Sequence, residues 1–209
     1  LTEDDIQTVR NTGSIRGNVY LGNGDDIFDT RNGRVNGTIE GGRGDDTYRV
    51  SNPDVQIREV DEDSFDTIES TVSFKAPENV EKLKLIGHRD ANAIGSAAGD
   101  IIYGNDGDNK IIGKGGSDIL TGRAGNDILI GGAGSDRFDF ETGNGVDRIE
   151  DFETGIDHIL DFRVGSQASF DALDIHDGKD GAVIDFGQGN RIIFVGIMAD
   201  QLSYADIYQ

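Results

Sequence analysis

The sequence lacks cysteine and tryptophan, and only two of its 209 residues are proline. Without cysteine there is neither a disulfide framework nor a thiolate metal site. No hydrophobic run is long enough for a transmembrane helix, and the first residues, LTEDDIQTVR, have neither the basic start nor the apolar core of a signal peptide. We therefore expect no membrane span, and we expect stability to come from something other than disulfide bonds.

Positive charge is also scarce. The chain has 19 lysine and arginine residues against 40 aspartate and glutamate residues, which gives a net charge of −21. This charge argues against nucleic acid or an anionic membrane as a partner. High charge with modest hydrophobicity is typical of a chain that cannot collapse unaided. A bound cation would remove this obstacle to folding.

Catalytic motifs are missing as well. The three histidines, His88, His158 and His176, lie in unrelated surroundings. No H-E-x-x-H, G-x-S-x-G, phosphate-loop or dinucleotide pattern occurs. Paired carboxylates can indicate glycoside hydrolysis, but most of those in this chain have a better explanation, given below. We predict no catalytic and no organic-cofactor residues, and we expect any catalytic domain to lie outside this segment.

Glycine, in contrast, is abundant, with 31 residues, and much of it belongs to one repeat. From Gly95 to Asp139 a nine-residue phrase occurs five times: GSAAGDIIY, GNDGDNKII, GKGGSDILT, GRAGNDILI and GGAGSDRFD. The first place is always glycine, the sixth is aspartate or asparagine, and the eighth is apolar. A period of nine fits neither a helix nor a simple strand, so each phrase is a turn followed by a short strand, and such units stack.

Two phrases make one coil of eighteen residues, which predicts a parallel β-roll. Ile102, Leu120 and Phe138 then point inward from one sheet, and Ile111 and Leu129 point inward from the opposing sheet. The glycines permit the tight turns between the sheets, because they tolerate positive φ.

The sixth-place side chains predict a metal site. Coils lie about 4.8 Å apart, so Asp100, Asp118 and Asp136 line one edge of the roll, and Asn109 and Asp127 line the other. Carboxylates this close repel one another unless a cation lies between them. Carboxylate and glycine carbonyl oxygens on flexible turns suit Ca²⁺ better than Mg²⁺. Adjacent pairs along the two edges predict three calcium ions: Asp100 with Asp118, Asp118 with Asp136, and Asn109 with Asp127. We expect a largely disordered chain without them.

The first two phrases depart from the pattern. Ala98 replaces the fourth-place glycine of the first phrase, and Asn109 replaces a carboxylate in the second. We expect the sites that involve these phrases to bind calcium less strongly than the site between Asp118 and Asp136.

A longer form of the repeat comes earlier in the chain. GNVYLGNGDDIFD from Gly17 and GTIEGGRGDDTYR from Gly37 share one frame and lie twenty residues apart. Asp26 and Asp46 take the sixth place, which predicts a fourth calcium ion between them. The pattern thus predicts metal-binding positions at Gly22, Gly24, Asp26, Gly42, Gly44, Asp46, Gly95, Asp100, Gly104, Gly107, Asn109, Gly113, Gly116, Asp118, Gly122, Gly125, Asp127, Gly131, Gly134 and Asp136.

GGAGSDRFD, which begins at Gly131, matches the pattern G-G-x-G-x-D-x-(apolar)-x at every place. The chain therefore resembles the RTX (repeats-in-toxin), hemolysin-type calcium-binding family. The resemblance implies an all-β, right-handed parallel β-roll closed by a C-terminal β-sandwich and short helix, which carry an uncleaved type I secretion signal. It also makes three later aspartates candidates for completing the last calcium sites: Asp147, Asp151 and Asp157. Solvated turns are the alternative for these three.

The pattern and the resemblance together divide the chain into five parts. These are a lead-in or linker (1–16), a short first roll block (17–50), a β-rich insert (51–94), the main roll block (95–140) and a C-terminal cap and secretion-signal region (141–209).

Three functions are open at this point. The first is a module of a type I secreted bacterial protein that folds on calcium outside the cell, with the type I secretion apparatus as its partner. The second is an accessory module of a secreted enzyme such as a protease, lipase or alginate epimerase, with an extracellular polysaccharide as a further partner. The third is a free-standing adhesion or binding protein. All three imply a secreted, extracellular or cell-surface location.

Overall fold

The structure is a computed structural model that describes residues 6–60, 64–140, 145–161 and 166–207. These residues form a right-handed parallel β-roll of about eight coils with very little helix. The predicted fold class is confirmed. No helix in the described ranges has the length and apolar character needed to cross a membrane.

The strands are short, as expected for a chain that turns at nearly every glycine phrase. In the first half of the chain they are β1 (Thr8–Arg10), β2 (Ser14–Arg16), β3 (Val19–Asn23), β4 (Ile27–Asp29), β5 (Arg34–Asn36), β6 (Thr38–Arg43), β7 (Thr47–Val50), β8 (Gln56–Arg58), β9 (Thr67–Ser70), β10 (Phe74–Lys75), β11 (Lys82–Leu85) and β12 (Asn92–Ile94). In the second half they are β13 (Ile101–Tyr103), β14 (Lys110–Gly115), β15 (Ile119–Thr121), β16 (Ile128–Ala133), β17 (Arg137–Phe140), β18 (Val146–Ile149), β19 (His158–Asp161), β20 (Asp174–Asp177), β21 (Gly181–Gly187) and β22 (Asn190–Val195).

One sheet runs the whole length of the roll. It contains nine parallel strands in the order β1-β4-β7-β9-β11-β13-β15-β17-β19. The opposing face consists of a three-stranded sheet, β3-β6-β8, followed by an eight-stranded sheet, β10-β12-β14-β16-β18-β22-β21-β20. A small pair, β2-β5, lies in the first coils. The apolar core lies between these faces.

The predicted register is confirmed. In the main block Leu120 pairs with Phe138, and on the opposing sheet Ile111 pairs with Leu129, so one coil contains eighteen residues. In the first block Phe28 pairs with Tyr48, twenty residues away. The inward residues of the nine-stranded sheet are almost fully buried: Phe28, Tyr48, Ile68, Leu83, Ile102, Leu120, Phe138 and Ile159.

Residues 51–94, predicted as an insert, contribute strands to the same sheets. Strands β9 and β11 connect β7 of the first block with β13 of the main block without a gap. On the opposing face the ladder is interrupted, because β8 pairs with β6 and β10 pairs with β12. The groove at this interruption is lined by Pro53 and Pro77, the only prolines of the chain. Proline has no N–H to donate to a ladder.

The C-terminal region covers the last coil. Strand β22 pairs in parallel with β18, and β21 and β20 continue that sheet in antiparallel fashion. The hairpin formed by β21 and β22 turns at residues 187–190, and it extends a sheet of the roll where we expected a separate β-sandwich. The Phe152 ring lies 6.1 Å from Phe138 and 5.1 Å from Phe194, which closes the end of the core.

Three short helical segments complete the tail: α1 (Gln167–Asp171), a 3-10 turn (Ala199–Gln201) and α2 (Tyr204–Ile207). Asp206 in α2 is buried and accepts a hydrogen bond of 2.7 Å from the backbone N–H of Gly155. This contact anchors the terminal helix to the loop before β19.

The core ladder gives a testable prediction. Leu120→Ala removes a fully buried side chain between two coils and should lower the free energy of unfolding in calcium by about 2–5 kcal/mol. Ile119→Ala, the matched control, changes the adjacent outward-facing and partly exposed side chain and should cost less than half as much. Urea unfolding measures both values. Equal losses for the two variants would contradict the assigned inward register.

Candidate metal centre

Acidic side chains form a column along one edge of the roll. Each strand of the nine-stranded sheet from β4 onward is preceded directly by one of them. Because the strands are paired in register, these side chains stack coil upon coil. We call this the long column; it consists of Asp26, Asp46, Asp66, Glu81, Asp100, Asp118, Asp136 and Asp157.

A shorter column lies along the eight-stranded sheet and consists of Asn109, Asp127 and Asp147. Ile128 pairs with Arg148, so Asp127 and Asp147 occupy equivalent places in successive coils. The side chains of both columns are buried, except that of Glu81, which is partly exposed.

Except in Asp100, one oxygen of each stacked carboxylate accepts a hydrogen bond from the neighbouring coil. The backbone N–H of Asp26 donates to Oδ1 of Asp46 at 2.7 Å, and that of Asp118 donates to Oδ1 of Asp136 at 2.9 Å. In the short column the N–H of Asp127 donates to Oδ1 of Asp147 at 3.0 Å. These bonds fix the orientation of each accepting carboxylate against the turn of the preceding coil.

The other oxygen has no such partner in five turns. Among the described residues, Oδ2 is buried without a hydrogen-bond partner in Asp26, Asp46, Asp118, Asp127 and Asp136. The residue four places earlier has a left-handed backbone in all five turns: Gly22, Gly42, Lys114, Arg123 and Gly132. Lys114 and Arg123 adopt this conformation although they carry side chains, which costs free energy. We call these the open turns.

Two turns of the main block, those of Asp100 and Asn109, differ from this arrangement, and we call them the closed turns. The backbone N–H of Ser96 donates to Oδ2 of Asp100 at 2.6 Å, and that of Asn105 donates to Oδ1 of Asn109 at 2.8 Å. Oδ2 of Asp100 and Oδ1 of Asn109 therefore each have a hydrogen-bond partner within their own turn. In addition, the ammonium group of Lys114 contacts the carbonyl oxygen of Gly95. These contacts give a physical reason for the prediction that the first two phrases bind calcium less strongly.

The first-place glycines are required by close approach. A Cβ on Gly113 would lie 2.7 Å from Cγ of Asp118 and 2.6 Å from the carbonyl oxygen of Gly131 in the next coil. A Cβ on Gly131 would lie 2.7 Å from Cγ of Asp136. Beside Gly113, carboxylate and carbonyl oxygens thus approach the same small space. Hard oxygen donors of this kind fit Ca²⁺.

Burial disfavours the charge of these carboxylates. It raises the pKa of Asp118 and Asp127 to about 7 and that of Asp147 to about 8. For Asp118, the neighbouring charges of Asp136 and Asp100 act in the same direction. A divalent cation between the coils would stabilise the ionised forms.

The structure brings most of the predicted positions together. Asp157 completes the long column, and Asp147 completes the short one. Asp151 lies beside the long column, where it accepts hydrogen bonds from the N–H groups of Gly131 at 3.0 Å and Gly132 at 2.8 Å. The fourth-place glycines of the open turns have left-handed backbones: Gly24, Gly44, Gly116, Gly125 and Gly134. Gly107, in a closed turn, does not.

Three acidic residues in or beside the long column were not among the predicted sites: Glu59, Asp66 and Glu81. Asp66 and Glu81 continue the long column, since the N–H of Asp66 donates to Oε2 of Glu81 at 2.7 Å. The nine-residue pattern does not reach them. The acidic residue directly before each strand with alternating apolar residues is a sequence signal that would have indicated Asp66 and Glu81.

The arrangement is that of a parallel roll with stacked oxygen sites between its coils. The family of the RTX calcium-binding nonapeptide repeat matches residues 36–49, 92–120 and 112–147, in four copies. The chain therefore contains RTX calcium-binding repeats, and the predicted resemblance is confirmed. Such a repeat roll is a structural calcium-binding module.

A solved structure, the solution structure of the AlgE6R3 subunit from the Azotobacter vinelandii mannuronan C5-epimerase, is similar to part of the chain. It is 26% identical, with a TM-score of 0.45, and the match covers 59% of this chain and 80% of that one. The comparison with curated proteins gives no match.

The close approach at the first-place glycines can be tested with two alanine variants. Gly131→Ala places a methyl group against the Asp136 carboxylate and should lower stability in calcium by about 1–3 kcal/mol. Gly115→Ala is the control, because its nearest neighbours would lie 3.7 Å away, and it should change stability by less than about 0.5 kcal/mol. Thermal unfolding in excess calcium measures both. An unchanged melting temperature in Gly131→Ala would contradict the close approach of Gly131 to the Asp136 carboxylate.

Proposed function

We propose that the chain is a calcium-dependent folding module that supports the type I secretion and stability of a secreted bacterial protein. The observation that carries the proposal is the set of five buried carboxylate oxygens without a hydrogen-bond partner in the open turns. Leaving buried ionised groups unpaired costs several kcal/mol each. Calcium between the coils offsets this cost and at the same time links one coil to the next.

We infer at least four ions. The open turns favour strong sites between Asp26 and Asp46 and between Asp118 and Asp136. The short column adds a site between Asp127 and Asp147. The last turn of the long column adds one at Asp136, with Asp151 and Asp157 as candidates for its closing side. We assign weaker sites to the closed turns, between Asp100 and Asp118 and between Asn109 and Asp127.

Calcium controls the fold because it binds between coils. A single coil has a thin core, and its carboxylates repel those of the next coil. Binding energy is therefore folding energy, as in other small metal-dependent folds. Extracellular calcium modules have dissociation constants of about 10⁻⁴ to 10⁻³ M. A chain with such sites stays unfolded where calcium is scarce, passes a secretion channel as an extended chain, and folds outside the cell.

The chain itself has no assigned catalytic role in this proposal. Its contribution to the secreted protein is to become rigid after export and to keep that state without disulfide bonds. The C-terminal segment from β20 to α2 covers the exposed end of the roll, where unpaired strand edges would otherwise invite aggregation.

Circular dichroism during a calcium titration tests this proposal. In chelator the chain should show a spectrum dominated by disorder, and calcium should restore the β-sheet signal cooperatively. Asp127→Asn removes one carboxylate of an open turn and should raise the calcium midpoint by about tenfold or more. Asp106→Asn is the matched control, because the exposed Asp106 carboxylate pairs with His88 and lies outside both columns, so the calcium midpoint should not move. A fully folded chain in chelator would contradict the proposal.

A further inference from the structure

Three buried carboxylates meet outside the main repeat block, beside strands β7, β8 and β9. Asp46, Glu59 and Asp66 are 1%, 6% and 0% exposed, and one ligand oxygen from each lies within 4.8 Å of the others. The repeat pattern pairs Asp46 with Asp26 on the other side of its turn, so this grouping adds a different contact to Asp46.

Glu59 enters the cluster through the strand ladder. Arg58 pairs with Glu40, so the next residue, Glu59, stands opposite Gly41. This is the place where a nine-residue phrase would have its first glycine. The coil that contains β8 therefore has a carboxylate side chain at a position where the repeat has a glycine, which provides only backbone atoms.

The Glu59 side chain points into the open turn of Asp46. A Cβ on Gly41 would lie 2.5 Å from Oε1 of Glu59 and would also overlap Oδ2 of Asp46, so both oxygens approach the same point. The hydroxyl group of Tyr48, in the core, donates to Oε1 of Glu59, and the N–H of Gly42 lies 3.4 Å from Oε2. These contacts fix the carboxylate in the interior.

The cluster is short of positive charge. Asp66 accepts hydrogen bonds from the N–H of Asp46 at 2.7 Å and from the hydroxyl group of Ser64 at 2.9 Å, both of which are neutral donors. Oδ2 of Asp46 has no hydrogen-bond partner among the described residues. No ion pair recorded for the described part of the chain involves any of the three carboxylates.

We propose that Asp46, Glu59 and Asp66 form a separate calcium site in which the Glu59 carboxylate takes the place of a glycine carbonyl of the repeat. The choice of calcium rests on the function proposed above. The donors are all oxygen, which disfavours zinc, and three carboxylates bring more charge than the two of a repeat pair. Higher ligand charge strengthens calcium binding, so this site fills before the repeat sites.

The end of the main block has an equivalent arrangement. Leu129 pairs with Ile149, so Asp151 stands opposite Gly131 as Glu59 stands opposite Gly41. In both places an acidic residue takes the first place of the coil that follows the last glycine phrase. Each block therefore ends with a carboxylate opposite the first-place glycine of its last phrase. The site at Glu59 is the last metal site of the first block.

Native mass spectrometry in calcium tests the proposal by counting ions. Glu59→Gln should bind one ion fewer than the unaltered chain at saturation, or bind that ion at least about tenfold more weakly. Glu40→Gln is the matched control: Glu40 lies on the paired strand, one residue before Gly41, and forms an ion pair with Arg58. It should keep the full count.

Terbium gives a second readout that does not depend on the stability of the Glu59 variant. Tyr48 contacts Glu59 and should sensitise the emission of Tb³⁺ at this site. Tyr48→Phe should lower that emission while the calcium count stays unchanged, and Glu59→Gln should lower both.

The outcomes separate the two proposals. A chain that binds no calcium contradicts the proposed function. A chain that binds its repeat ions while Glu59→Gln and Tyr48→Phe change neither the count nor the emission overturns this site alone.

Discussion

The structure depends on the stacking of buried carboxylates at the spacing of a parallel sheet. Strand pairing sets the distance between coils, and the inward apolar residues set the register, so the acidic residue before each strand must lie above its neighbour. Backbone N–H groups satisfy one oxygen of each carboxylate. The other oxygen and the negative charge require a partner that the protein itself does not supply in the open turns.

This requirement explains why the turns fall into two kinds. Where the second place has a left-handed backbone, its N–H does not donate to the sixth-place carboxylate, and Oδ2 is buried without a hydrogen-bond partner. Where Ser96 and Asn105 occupy that place, their N–H groups donate to the sixth-place side chain. Under the proposed function, the two closed turns therefore depend less on a cation than the five open turns do.

Much of this arrangement could be predicted from the sequence, because the period of nine determines both which residues point inward and which stack. Leu120, Phe138 and Asp118 lie where that period puts them. Glu59 and Glu81 could not be placed, since residues 51–94 lack the period and their positions become clear only from the strand ladder. The left-handed backbones of Lys114 and Arg123 also escape prediction, because local sterics favour glycine there and only the repeat context imposes them.

The most direct test of this account is the position of the ions. Crystals grown in calcium and measured for anomalous scattering should show peaks between Asp118 and Asp136 and between Asp127 and Asp147, with Oδ2 of Asp118 and Asp127 at about 2.3–2.6 Å from the metal. A map without peaks at the open turns, in which water molecules bind these oxygens in a folded roll, would contradict the claim that cations hold the coils together.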